Sequence, residues 1–265
     1  MKAKRSFGQN FLVKSQYSQQ VVESVRPKTG ETIIEIGPGQ GALTELLVAS
    51  GARIVAVELD RGLIVTLKGS FAGAANFNLI EADALKVNFC DVIAPASNAR
   101  VVANLPYNIS TPILQRLIAQ RETFSSIVLM FQREVVERIT AKPCNKERGF
   151  LSVLVENAFT TEYLFDVPPQ AFQPVPKVWS GVVRLTPKES VFEDLAALRK
   201  VVSASFAQKR KTIFNNLKSV IENAADVLTE AGIDPKRRAE TLTLDEWKTL
   251  AGTILSSKTV PTNLD

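Results

Sequence analysis

Histidine is missing from all 265 residues, and no other feature of the composition removes so much chemistry. Ser-His-Asp and Cys-His nucleophile systems go with it, as does the commonest transition-metal ligand, so any catalysis must proceed without imidazole. Cysteine is nearly absent too. Cys90 and Cys144 are the only two, in loop-like or edge contexts and far from a C-x-x-C spacing. Neither a disulfide framework nor a zinc site is expected, and a reducing, cytoplasmic setting fits. No apolar run approaches the ~18 residues that would mark a membrane span. The basic start "MKAKRSFGQNFLVK" is broken by Gly8, Gln9, Asn10 and Lys14 before any stretch of signal-peptide type. The protein is therefore expected to be neither exported nor membrane-spanning. Internal repeats and low-complexity tracts are also lacking, apart from a Ser/Thr/Asn-containing tail from Ser256.

What is present is a globular composition, with 45% hydrophobic residues and a net charge of +5. That charge is too mild to identify a polyanionic partner by itself, but its distribution is uneven. Lys2, Lys4, Arg5 and Lys14 stand in a stretch without acids, and "QKRK" (208–211) and "KRR" (236–238) lie in the last third. Such clusters suit nucleic-acid phosphates or simply a solvated face.

β-Branched runs "ETIIEIG" (31–37), "ARIVAVEL" (52–59), "FNLIEAD" (77–83), "ARVVANL" (99–105) and "SSIVLMFQ" (125–132) are separated by helical patterns such as "ALTELLVAS" and "TPILQRLIAQ". Strands alternating with helices imply an α/β fold, a parallel sheet covered on both faces. Ser15 is expected to cap a helix reaching about Arg26, and Ser110 another beginning at Thr111. A short helical segment, then "EYLFDVP" and "SGVVRLTP", reads as antiparallel additions to the sheet edge. Beyond Pro187, Leu195, Leu198, Val202 and Phe206 recur at helical spacing. Two domains follow: residues 1–187, the sheet domain, and 188–265, a small helical one.

Four strand ends carry the candidate chemistry. "EIGPGQG" (35–41) joins the first strand of the sheet to a helix, where glycines allow a tight turn and close ligand approach. Its G-x-G-x-G spacing is one residue short of the dinucleotide fingerprint. Glu58 closes the second strand, 21 residues after Gly37, and suits ribose hydroxyls of a nicotinamide dinucleotide or of S-adenosylmethionine alike. Asp83 after the third strand is an acceptor for an adenine amino group. The fourth strand ends in "NLPYNIS" (104–110), which a dehydrogenase has no use for. A methyltransferase acting on an exocyclic amine does. The Asn104 side-chain carbonyl and a main-chain carbonyl beside Pro106, that of Leu105, can accept the two amino hydrogens. Pro106 stiffens the corner, and Tyr107 offers a face for a flipped-out base. The plain alternative is a strand ended by Pro106 and turned by Asn108.

These blocks together resemble the rRNA adenine dimethyltransferases. "FGQNFL" (7–12), "EIGPGQGALT", "VELD" (57–60), "EADAL" (81–85), "NLPYNIST", "FQPVPKVWS" (172–180) and "FAQKRKTIFNNL" (206–217) follow that family's order and approximate spacing. The resemblance implies a Rossmann-like class I S-adenosylmethionine-dependent methyltransferase domain with a C-terminal helical RNA-binding domain. It implies cofactor contacts from Gln9, Asn10, Leu12, Gly37, Gly39, Gly41, Glu58, Leu59, Asp83, Ala84 and Asn104. Asn104, Leu105, Pro106 and Tyr107 would hold the target base, with Phe172 as a second stacking face. The implied reaction is dimethylation of two adjacent adenines in the 3′-terminal hairpin loop of 16S rRNA, during small-subunit assembly, by a monomer without a metal. Lys209, Arg210 and Lys211, where the family usually has Q-R-R-K-T, would meet rRNA phosphates, with Lys146 and Arg148 as further RNA contacts. The competing readings are a large-subunit rRNA methyltransferase of the macrolide-resistance type and a non-catalytic assembly factor on the same fold. The latter would be marked by damage to the glycine loop, Asn104 or Tyr107.

Overall fold

In the computed structural model, residues 9–106, 109–189 and 192–256 are described. The chain begins with β1 (Phe11–Leu12) and α1 (Ser15–Val25), then alternates through β2 (Thr32–Ile36), α2 (Thr44–Ala49), β3 (Arg53–Glu58), α3 (Arg61–Ser70), β4 (Phe77–Glu81), α4 (Phe89–Ile93), β5 (Ala99–Asn104), α5 (Ser110–Ala119) and β6 (Phe124–Gln132). Helices α6 (Arg133–Thr140) and α7 (Phe150–Ala158) follow, then β7 (Phe159–Val167), β8 (Phe172–Gln173) and β9 (Ser180–Pro187). Helices α8 (Leu195–Ser205), α9 (Ile213–Leu217), α10 (Ala224–Glu230) and α11 (Leu244–Ser256) complete the described chain. None of these helices is long and apolar enough to cross a membrane.

Seven strands form one sheet in the order β4-β3-β2-β5-β6-β9-β7, and β1 pairs with β8 in a separate two-stranded ribbon. The five strands β4 to β6 run parallel. Burial on both faces explains their continuous apolar character: every residue of β2 is buried, as are five of six in β3. Strand β9 joins antiparallel to β6, as expected for "SGVVRLTP". The chain winds outward from β2 through β3 to β4, then restarts on the other side of β2 with β5 and β6. That reversal leaves a crevice beyond the carboxyl ends of β2 and β5, where ligands bind in open α/β sheets.

Helix α1 buries Val21, Val22 and Val25 and ends where Arg26 turns left-handed (φ 55°) ahead of Pro27, its N–H returning to Val22 and Glu23. Ser15 is the first helical residue rather than the cap, a position taken by Lys14. Ser110 likewise opens α5, after Ile109 in the cap position. Helix starts shift by one residue readily, because the cap is defined by backbone angles that a sequence pattern does not carry.

The chain divides into two compact units. One comprises Met1–Val136 with Thr160–Pro187, the other Glu137–Phe159 with Lys188–Asp265. The second unit thus takes in a segment that the sequence pattern places with the sheet. The reason lies in α7, whose residues are nearly all buried and pack on α8 and α11. A helix apolar all round needs cover on every side, and a sheet face covers only one. In the same unit Trp247 is fully buried and stacked on Phe206 at 5.8 Å.

Candidate active site

The crevice is a real cavity, and the four strand ends open into it together. Its walls include Gly37 and Gly39 after β2, Glu58 and Leu59 after β3, Asp83 and Ala84 after β4, and Asn104, Leu105 and Pro106 after β5. Gln9, Asn10 and Leu12 close it from the N-terminal side. Parallel register accounts for the convergence, since adjacent parallel strands present their carboxyl ends to the same edge.

The glycine loop divides its labour. Gly37 has φ +66°, and a side chain built there would meet nothing within 4 Å, so it is the backbone angle that calls for glycine here and the space above it is open. At Gly39 a Cβ would lie 3.2 Å from the Phe11 ring, so this glycine seats β1 against the loop. Gly41 is not part of the cavity wall. Its φ is +91° and a Cβ would press on Phe71 at 3.2 Å, so glycine here serves packing.

Glu58 is nearly buried and held by three main-chain donors: Asp60 N–H (2.8 Å) and Leu59 N–H (2.9 Å) on Oε1, and Gly39 N–H (3.3 Å) on Oε2. Burial raises its carboxyl above the ordinary range, and those three donors pull it back. The result is an acceptor fixed in place at the cavity wall. Asp60 accepts from Gly62 N–H as the cap of α3 and from the Gln9 amide at 3.2 Å, tying the N-terminal segment to the same corner. Asp83 Oδ1 accepts from Leu85 N–H at 3.0 Å, which fixes its turn.

The Asn104 amide is fixed by a main-chain contact. Its Nδ2 donates to the Asn10 main-chain carbonyl at 3.3 Å, which commits the NH₂ end and leaves Oδ1 as the acceptor. The corner beyond is tightened by Ile109 N–H to the Pro106 carbonyl at 3.2 Å. Tyr107 lies outside the described residues.

Glu35 was not assigned a role from the sequence, although it lines the cavity. The signal was available: one carboxylate inside the apolar run "TIIEI". It is 1% exposed and accepts from the Thr44 hydroxyl at 2.7 Å. Burial pushes its carboxyl up to about 7; the Thr44 hydroxyl pulls it down, and the Glu58 charge adds to the rise. In the folded chain it keeps a proton that the unfolded chain releases from about pH 4.5. Its contribution to stability is therefore complete below pH 4.5 and is lost as pH rises through 7, a change of about 3 kcal/mol. Denaturation of the wild type and Glu35→Gln across pH 5–8 should show the wild type falling progressively below the variant; parallel curves would contradict the buried, protonated state.

Three other expectations fare differently. Phe172 does not reach the cavity: β8 pairs it opposite Leu12, and it is 2% exposed within the apolar core beside Val167 and Ala171. The stacking face expected of it is covered, because the β1–β8 ribbon turns that ring inward. Arg148 is fully buried, donating to the Ala141 and Leu242 carbonyls at 2.9 and 3.3 Å and paired with Glu156 at 2.7 Å. Phosphate cannot reach it, so it is an internal strut of the helical unit. Lys146, two residues away, is exposed, as are Lys209, Arg210 and Lys211. The latter three sit on the turn between α8 and α9, which Asn216 pins by donating to the Ser205 and Gln208 carbonyls and accepting from Gln208 N–H.

Comparison with known proteins agrees with this architecture. Residues 1–255 match the family described as ribosomal RNA adenine dimethylase. The chain is 44% identical over 252 residues to ribosomal RNA small subunit methyltransferase A of Hahella chejuensis, covering 94% of this chain and 92% of the relative. It is 43% identical over 262 residues to the protein of the same name from Pseudomonas savastanoi pv. phaseolicola, covering 98% and 97%. Among solved structures, a dimethyladenosine transferase from Plasmodium falciparum superposes with a TM-score of 0.80 at 25% identity, over 94% of this chain and 98% of that one. The 23S rRNA methyltransferase ErmE shares the fold with a TM-score of 0.69 at 22% identity, over 92% and 99%. The fold is that of the class I S-adenosylmethionine-dependent methyltransferases, and the chain belongs to the ribosomal RNA adenine dimethylase family.

Proposed function

We propose that this enzyme binds S-adenosylmethionine in the cavity and dimethylates the exocyclic amines of two adjacent adenosines in the 3′-terminal hairpin loop of 16S rRNA, acting as a cytoplasmic monomer during small-subunit assembly. The observation that supports the reading is Asn104, a residue of the cavity wall whose amide nitrogen is engaged by the Asn10 carbonyl, which leaves its side-chain oxygen available as an acceptor. Glu58, clamped by three main-chain donors, is placed to accept from ribose hydroxyls, and Leu59 and Ala84 offer apolar surface to a purine. Gly37 leaves room for close approach of the cofactor.

The bound cofactor supplies an electrophilic methyl group on a sulfonium. What the chain must do is desolvate and aim a neutral amine. Asn104 Oδ1 accepts one amino hydrogen and the Leu105 main-chain carbonyl accepts the other, so the nitrogen lone pair is less delocalised into the ring and points at the methyl carbon. With the cofactor bound, the sulfonium would supply the methyl group, and the surplus proton of the amine held at Asn104 and Leu105 would leave to water, with no imidazole required. Lys209, Arg210 and Lys211 are assigned to rRNA phosphates, on a loop held rigid by Asn216. The helical unit is accordingly assigned to RNA binding.

The test is to incubate the protein with methyl-labelled S-adenosylmethionine and small ribosomal subunits lacking the modification, then digest the RNA and identify the labelled nucleoside by mass. Dimethyladenosine in the 3′ hairpin is the expected product. Label appearing instead in large-subunit RNA supplied in parallel, or no transfer despite measured cofactor binding, would overturn the reading.

A further inference from the structure

An aromatic surface cluster stands on the carboxyl edge of the sheet, outside the cavity. Eight large hydrophobic residues are exposed among the described ones, and three of them, Val175, Val178 and Trp179, fall within five positions. Trp179 is 47% exposed, whereas Trp247 is completely buried. Half a tryptophan left in water is unusual for so large an apolar side chain.

This tryptophan stands on a fixed support. Its carbonyl accepts from Arg133 N–H at 2.9 Å, which extends the β6–β9 ladder one step past the Gln132–Ser180 pair. The Arg133 guanidinium lies 3.7 Å from Asp166, and Asp166 accepts from the Tyr163 hydroxyl. Tyr163 in turn lies across Gly181, where a Cβ would be 2.8 Å from its oxygen, so the glycine is what lets that ring pack down on β9. The contacts close a ring around one corner: Trp179, Arg133, Asp166, Tyr163 and Gly181. Lys177, two residues before Trp179 in the chain, is also exposed.

Register relates this corner to the cavity. Asn104 pairs with Met130, and Met130 with Val182, so Trp179 lies two strands across and three residues farther along than Asn104. At ~4.8 Å per strand and ~3.4 Å per residue, both steps are on the order of 10 Å. A few unpaired nucleotides span that separation.

We propose that Trp179 is a stacking platform for an unpaired base of the RNA substrate flanking the adenosine held at Asn104, with Arg133 and Lys177 facing the adjoining phosphates. An exposed aromatic interleaved with cations is the composition that single-stranded nucleic acid selects, the ring taking any base face and the cations the backbone. The inference rests on the RNA-methylating function proposed above.

It is tested with full-length Trp179→Ala and Trp179→Phe assayed on undermethylated small subunits. The alanine variant should raise KM for subunits about tenfold, with kcat, cofactor affinity and melting temperature unchanged, and the phenylalanine variant should restore most of the loss. As Trp179 is the exposed one of only two tryptophans, iodide quenching of wild-type fluorescence should also fall when a short RNA hairpin with two adjacent loop adenines is added. An active wild type whose KM is unaffected by Trp179→Ala overturns this inference and leaves the proposed function standing. A KM rise that phenylalanine does not relieve also overturns it, and so does a wild-type dimer that Trp179→Ala dissociates at unchanged KM. Failure of the wild type to label small-subunit RNA overturns the function itself, and this inference with it.

Discussion

Asn104→Ala is expected to lower methyl transfer by about 10²–10³-fold, the range for removing one well-placed polar group from a reacting centre, while the cofactor dissociation constant changes by no more than several-fold. The asymmetry follows from geometry. The cofactor would be held by many groups along four strand ends, whereas the amine would depend on the Asn104 carbonyl as the fixed side-chain acceptor among the described residues at the end of β5. Asn104→Asp should fail nearly as badly. An aspartate keeps an acceptor, but it loses the donor that the Asn10 carbonyl engages and swings freely as a charged group. Single-turnover methylation and calorimetric cofactor titration on the same preparations separate the two effects. Unchanged turnover in Asn104→Ala would remove the side chain from the mechanism altogether.

Arg148→Ala should destabilise the protein by about 3–5 kcal/mol, the usual cost of removing one partner of a buried ion pair. The change strands the Glu156 carboxylate and leaves the Ala141 and Leu242 carbonyls without the guanidinium that now serves them. Arg148→Lys retains the charge but cannot reach three acceptors in a plane, so it should recover only part of the loss. Replacing Arg148 and Glu156 together by apolar residues should cost less than Arg148→Ala alone, because no buried charge is then left unpaired. Urea denaturation of the four proteins measures this directly. Were Arg148 an RNA contact, the alanine variant would keep its stability and lose subunit affinity instead.

These two arginine and asparagine cases mark the limit of what a linear pattern conveys. Asn104, Glu58, Asp83 and Gly37 could be located from sequence because each ends a β-branched run, and parallel strands necessarily bring such ends to one edge. Arg148 could not: "CNKERGF" has the composition of a solvated loop, and nothing local says that α7 and the segment around Leu242 enclose it. The surroundings of Phe172 and Gly41 are hidden from the sequence for a related reason. A motif names residue types, but whether a ring or a glycine faces a ligand or a neighbour depends on partners distant in the chain, here Leu12 and Phe71. Glu35 gave a local signal, a carboxylate in a buried strand, yet its raised pKa comes from complete enclosure, which only packing supplies.

By itself, then, the sequence determined the alternation of strands and helices, the exclusion of imidazole and disulfide chemistry, the family, and the strand-end residues that form the cavity wall. These depend on periodicity, composition and short-range spacing, all of which are properties of neighbouring residues. The tertiary structure alone decided that Glu137–Phe159 packs with the helical unit, that Asn10 orients the Asn104 amide, that Arg148 is an internal strut, and that Trp179 stands exposed at the sheet edge. Each of those turns on which distant surfaces meet and what solvent they exclude, and burial is a property of the whole packed chain, not of any stretch within it.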